Sequence, residues 1–203
     1  MIKRSFLFLA LGLFLSLSGR TASAEVLAGL NADQLADLDD GGLVVTKKDI
    51  EGGVWPELTV YTRVNAPVSD VLKVFHDYDH AQDYVPNLVS ARVVGQPEPD
   101  VFDIEYTSRL PLLGTTSYET RNWYETTAGG VSVRWKLLKS AMADISDGSL
   151  RVEPYEGGSV MRYVNYVKPK SAIAIVAKGA ALSEVKKTVT ALKAQAEKVA
   201  GVF

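Results

Sequence analysis

Both histidines of the chain, His76 and His80, lie in FHDYDHAQDYVP (residues 75–86), four positions apart with Asp77 and Asp79 between them. Two imidazoles one helical turn apart, flanked by carboxylates, chelate a transition-metal ion if the helix runs unbroken through both. The same imidazoles, with an ordinary pKa of about 6.5, also have the chemistry of a pH sensor. A third reading is structural: Asp79 with Gln82 three positions on has the form of a helix N-cap and its reciprocal partner. A second helix starting there would part the two rings. We favour the capped turn, because the chain has no further histidine and no cysteine to complete a soft ligand set. Neither a metal nor another cofactor is expected. Without cysteine there are no disulfides and no thiolate chemistry. With both histidines in one turn, no Ser-His-Asp arrangement is available.

What remains for chemistry is tyrosine hydroxyls, amides and indoles, and strand alternation indicates which of them face inward. In VSVRWKLL (131–138), Val131, Val133, Trp135 and Leu137 share a face opposite Arg134 and Lys136. Water claims the charged face, so Trp135 points inward. In VFDIEYTS (101–108), Phe102, Ile104, Tyr106 and Ser108 likewise oppose Asp103 and Glu105. For SYETRNWYE (117–125) alternation leaves the parity open.

The elements that must hold these residues can be read in order. GLNADQLADLDDGG (29–42) is a short helix with Asn31 as N-cap and Gly41-Gly42 as its stop. LVVTKKDI and ELTVYTRVNAPV are two strands joined by the Gly/Pro turn EGGVWP. A helical stretch follows, with Val71, Leu72, Val74 and Phe75 as its apolar stripe. Extended runs cover 88–96, 101–110, 115–127, 131–138 and 149–168. Ala128-Gly129-Gly130 is a tight turn between the third and fourth, and Gly157-Gly158 divides the last into two strands. MADISDG is read as an irregular lead into the fifth run. The chain closes with one long helix, roughly 171–200. Its seam is Leu182, Val185, Val189, Leu192, Ala196 and Val199, with Lys186, Lys187, Lys193 and Lys198 opposite. Strands in series followed by a single amphipathic helix define an α+β layout, in which that helix covers one face of the sheet.

Lys3 and Arg4, the apolar run SFLFLALGLFLSLS and the small-residue pattern TASA read as a secretory signal over residues 1–24, cleaved after Ala24. The run is short for a bilayer-spanning anchor, the competing reading. Cleavage would remove Lys3, Arg4 and Arg20 and no acid, making a chain of formal net charge −2 more acidic still. Scattered, net-negative charge excludes nucleic acid as a partner, since phosphate binding needs a clustered positive field. The expected location is the periplasm. The expected organisation is a helical lead-in over 25–42 and one domain over 43–203.

NAPVSDVLKVFHDYDHAQDYVPNLVSARVV, then DGSLRVEPYEGGSVMRYVNYVKP, then a terminal helix, resembles the START/polyketide-cyclase (SRPBCC, Bet v 1-like) superfamily over about residues 43–200. The opening APV…V…VF, the segment Y…VP…V and the GSLRVEP…GG hairpin match in order and spacing. Leu150 departs from the pattern, as many relatives carry a bulky aromatic there. The resemblance implies a helix-grip fold: a curved antiparallel sheet wrapped around a long C-terminal helix, with two short helices after the first strands and a cavity inside. Its register places Met161, Tyr163, Asn165 and Val167 inward on one strand. On 115–127 it places Tyr118, Thr120, Asn122 and Tyr124 inward, leaving Trp123 outside with Glu119 and Arg121. It also places Tyr84, Val85, Pro86 and Leu88 at the cavity mouth, or else packing the second short helix on the sheet.

The final helix begins SAIAIVAKGAALS, so small side chains such as Ala177 and Ala181 face the sheet where larger ones would fill it. Interiors are otherwise densely packed, so volume retained there is a ligand site, unless Trp135 and Tyr163 occupy it. The ligand-facing set is Tyr84, Tyr106, Tyr118, Asn122, Trp135, Met161, Tyr163, Asn165, Ala177 and Ala181. Apolar and aromatic walls with a few neutral hydrogen-bonding groups suit a lipid-like or polycyclic molecule. Three function classes follow. The first is a non-catalytic periplasmic carrier of a hydrophobic small molecule, in transient contact with membranes. The second is a cyclase or dehydratase, for which tyrosines, asparagines, Asp144 and Arg109 are the only acid–base candidates. The third is a protein-interaction module of the envelope.

Overall fold

A computed structural model describes residues 25–110, 114–170 and 173–202. The signal-like segment 1–24 lies outside them.

Asn31 caps the first helix, α1 (Ala32–Asp39), through a reciprocal pair: Gln34 N–H donates to Asn31 Oδ1 at 2.9 Å and Asn31 N–H to Gln34 Oε1 at 3.0 Å. β1 (Leu43–Lys48) and β2 (Glu57–Val64) form an antiparallel hairpin, followed by α2 (Val68–His76) and a 3-10 segment, Tyr78–Asp83. Six strands come next: β3 (Leu88–Glu98), β4 (Val101–Leu110), β5 (Gly114–Thr127), β6 (Gly130–Ser140), β7 (Ala143–Tyr155) and β8 (Gly158–Pro169). The long helix α3 (Ile173–Val199) completes the chain. The eight strands form one antiparallel sheet in the order β1-β2-β8-β7-β6-β5-β4-β3. This is the α+β helix-grip architecture expected from the sequence.

The 3-10 segment replaces the second short helix, and β7 corrects the reading of MADISDG. Its strand begins at Ala143, so Ile145, Ser146, Asp147 and Gly148 belong to the ladder with β8, and Asp144 sits at a shift in its register. Turn-forming residue types there are overridden by pairing with a neighbouring strand.

The concave face carries Val60, Val64, Val133, Leu150, Val152 and Met161, packed against Val71 and Val74 of α2 and Val189, Leu192 and Ala196 of α3. Val199 breaks the expected seam: it is 40% exposed, while Ala200 beside it packs against the core. Lys193 departs too, reaching back to the Gly41 carbonyl at 3.3 Å instead of standing free. On the convex face, Val26 and Leu38 cover Val44, Tyr61 and Val160, so the lead-in serves as a patch over the outer sheet. No helix among the described residues is long and apolar enough to cross a membrane.

Charged residues of β4 and β5 pair on the outer face. Arg121 donates from Nε and a terminal nitrogen to both oxygens of Asp103, at 2.7 and 2.8 Å. This hydrogen bonding holds the Asp103 carboxyl below its usual range. Asp103→Asn is expected to cost about 0.5–1 kcal/mol at neutral pH, as the guanidinium is partly solvated. The contribution is present in full above the unfolded carboxyl pKa of about 3.9 and vanishes as pH falls through the lower folded value. Urea melts of both proteins at pH 7 and near pH 2 check it, the gap closing in acid.

Candidate functional site

Alternation along the strands turns every second side chain toward the concave face, and where α3 offers alanine the space stays open. The result is a cavity of about 380 Å³ between the concave face, the 3-10 segment and α3. From the sheet come Tyr106, Ser108, Tyr118, Thr120, Asn122, Trp135, Leu137, Tyr163 and Asn165, and from the helix Ala177, Ala181, Leu182, Val185 and Thr188. The mouth runs past Tyr84–Leu88, Trp55 and Pro56 on one side and the strand ends at Ser140, Ala143 and Pro169 on the other.

Nine of the ten ligand-facing residues expected from the sequence lie on this wall. Met161 does not. It points inward as its parity requires, but it is fully buried among Val60, Val152 and Val189 and forms part of the solid core. Tyr84 lines the mouth with its hydroxyl already committed, donating to the Val74 carbonyl at 2.9 Å. Trp135 sits between Phe75 and Tyr163, with ring centroids 6.2 and 5.1 Å apart. The two large rings narrow the cavity without filling it. Tyr106 stacks on Tyr118 at 5.2 Å.

Among the wall residues missed from sequence are Phe75 and Tyr78. Phe75 reads as part of the α2 stripe, and Tyr78 stands on a 3-10 turn where neither helical nor strand period applies. Tyr78 proves central. Its hydroxyl contacts that of Tyr124 and accepts from Asn122 Nδ2 at 3.3 Å. Thr120 Oγ1 in turn donates to Asn122 Oδ1 at 2.8 Å. Burial pushes the Tyr118 phenol up to about 12 and raises those of Tyr78, Tyr106, Tyr124 and Tyr163. These groups are therefore neutral hydrogen-bonding hydroxyls at any physiological pH.

The histidine segment is resolved in favour of a break, at a different residue from the one expected. α2 ends at His76 and Asp77 is the junction. The Asp77 carboxylate bonds His80 Nδ1 at 2.7 Å, raising the pKa of this exposed imidazole. Asp79 caps nothing: the tighter 3-10 turn directs Gln82 Nε2 to the Asp79 backbone carbonyl. His76 lies against Phe102 and Tyr124, its centroid 4.9 Å from each ring. Among the described residues, no group of three or more potential ligands could hold a metal ion.

Arg109 and Asp144, the charged acid–base candidates, are exposed and stand off the wall. Among the described residues Glu184 is the charged side chain that lines the cavity, at the mouth. It accepts from Asn87 Nδ2 at 2.6 Å and Lys187 Nζ at 2.8 Å.

The geometry has known counterparts. A STAR-related lipid transfer protein from Xanthomonas axonopodis superposes with a TM-score of 0.69 at 17% identity, over 77% of this chain and 94% of that one. The lipid transfer and protein localization domain of human StarD13 gives 0.61 at 14% identity, over 82% and 97%. The Zhui aromatase/cyclase from Streptomyces sp. R1128 gives 0.53 at 12%, over 78% and 94%. At such identities the likeness shows shared fold. No curated protein matches the sequence. The sequence profile for "polyketide cyclase / dehydrase and lipid transport" does match, over residues 56–197. Spanning more than half of the chain and every strand of the cavity wall, that match shows that the chain belongs to the polyketide cyclase/dehydrase and lipid transport family, within the START-type superfamily.

Proposed function

We propose that this protein binds and carries a hydrophobic small molecule, lipid-like or polycyclic, inside the cavity, and that it does so after export to the periplasm. One observation carries the reading: a 380 Å³ space with largely apolar and aromatic walls, its polar groups uncharged apart from Glu184 at the mouth. A hydrophobic cargo gains about 0.8 kcal/mol for each methylene withdrawn from water, which such walls supply. A cyclase or dehydratase would need a general base inside, and the one wall carboxylate is held at the mouth by Asn87 and Lys187. Export is supported by the composition of residues 1–24.

Native mass spectrometry of the protein purified from the cells that make it is expected to show a bound apolar molecule, released by organic solvent. Protein that is empty, and that also fails to take up either a fluorescent fatty acid or an uncharged fluorescent lipid, would rule the carrier out.

A further inference from the structure

The polar groups of the cavity are gathered in one place. Thr120, Asn122, Tyr78 and Tyr106 meet on one stretch of the wall, backed by Tyr124. Asn122 and Thr120 are only 2% and 3% exposed. Elsewhere the sheet wall is largely apolar and aromatic, with Trp135, Leu137, Tyr163 and Val167.

We propose that this cluster receives one uncharged oxygen of the ligand, a hydroxyl or a carbonyl, and that the ligand is a single-chain or fused-ring molecule held by that oxygen. The proposal rests on the carrier reading and names the class of cargo. Hydrogen-bond accounting gives the first part. Thr120 donates to Asn122 and Asn122 donates to Tyr78, so the chain of donors runs toward the phenols. Tyr78 and Tyr124 hold two phenolic protons for the single contact between their oxygens. The phenol that accepts in that contact keeps its own O–H, a buried donor to which an oxygen of the ligand can offer an acceptor.

Charge gives the second part. No cationic side chain stands on the described wall. An ionised carboxylate at the cluster would be buried unpaired, which the site cannot compensate. Size gives the third. The 380 Å³ cavity lies near the lower end of the range for small-molecule sites, roughly 300–1,000 Å³. That suits one medium chain or a few fused rings better than a lipid with two long acyl chains.

The test is equilibrium binding by calorimetry of the delipidated full chain with two matched series: dodecanol, dodecane and dodecanoate, and phenanthrol, phenanthrene and phenanthrene carboxylate. At least one alcohol should bind about tenfold more tightly than its parent hydrocarbon and its carboxylate. Whichever series binds identifies the skeleton. Tyr78→Phe, which keeps the ring and its packing, and Asn122→Ala should each reduce the alcohol-over-hydrocarbon preference by roughly tenfold. Hydrocarbon or carboxylate binding as tight as alcohol would overturn the proposal and leave the carrier standing, as would variants that weaken alcohol and hydrocarbon equally. If none of the six compounds binds, both readings fall.

Discussion

Ala181→Trp is expected to lower affinity for any cavity ligand by at least about a hundredfold, close to 2.7 kcal/mol, while leaving the melting temperature nearly unchanged. Ala181 lines the cavity from α3, facing strands whose large side chains leave the space open. An indole there would occupy volume that the ligand needs. The helix loses about 0.5 kcal/mol of intrinsic propensity in exchanging Ala for Trp. New dispersion contacts with the apolar wall offset that loss. Titration with a fluorescent fatty acid and a thermal melt of the same sample check both halves. Undiminished affinity would place the ligand somewhere other than this cavity.

Gly148→Ala should strongly destabilise the sheet although it adds a single methyl group. A Cβ at Gly148 would lie 2.2 Å from Cζ2 of Trp135 and 2.4 Å from the carbonyl oxygen of Val164. The indole can tilt, but the carbonyl belongs to the neighbouring strand and cannot. Overpacking of this kind costs about 3 kcal/mol. For a chain of this size each kcal/mol moves the melting temperature by about 2–4 °C, giving a fall of roughly 6–12 °C. The tilt also has a direction. Gly148 stands directly across the ladder from Trp135, so the ring is driven toward the cavity and ligand affinity should fall with stability. A melting temperature within 2 °C of the parent protein's, by the scale just used, would mean that the strands at this point are looser than they stand here.

How much of this was legible beforehand differs by element. The alternation around Trp135 was plain, because charged Arg134 and Lys136 can only face water, and the parity of Tyr106 followed from Asp103 and Glu105 in the same way. For 115–127, where polar and aromatic residues occupy both faces, alternation was silent and the superfamily register supplied Tyr118 and Asn122. Met161 shows the limit of parity. It says which face a side chain takes, but not whether the helix opposite offers alanine or valine at that level. The Asp79 cap failed for a related reason, since cap and 3-10 turn use the same residue types and differ in which carbonyl the side chain meets. Tyr78 carried no periodic signal at all; only the fold brings it to Asn122, 44 residues further along.

The strand order has a consequence for how the molecule is completed. β2 sits between β1 and β8, with Val60 beside Tyr163. A chain made from its N-terminus therefore produces its first hairpin long before that hairpin's other neighbour exists. The meander from β3 to β8 can zip up between adjacent segments as it is synthesised. Uniting it with β1 and β2 requires a far longer loop to close, which is the slower kind of event. Attachment of the early hairpin to the final strand, with α3 settling over the seam, is thus the natural last step, and until then the edge of β2 remains open to unwanted partners.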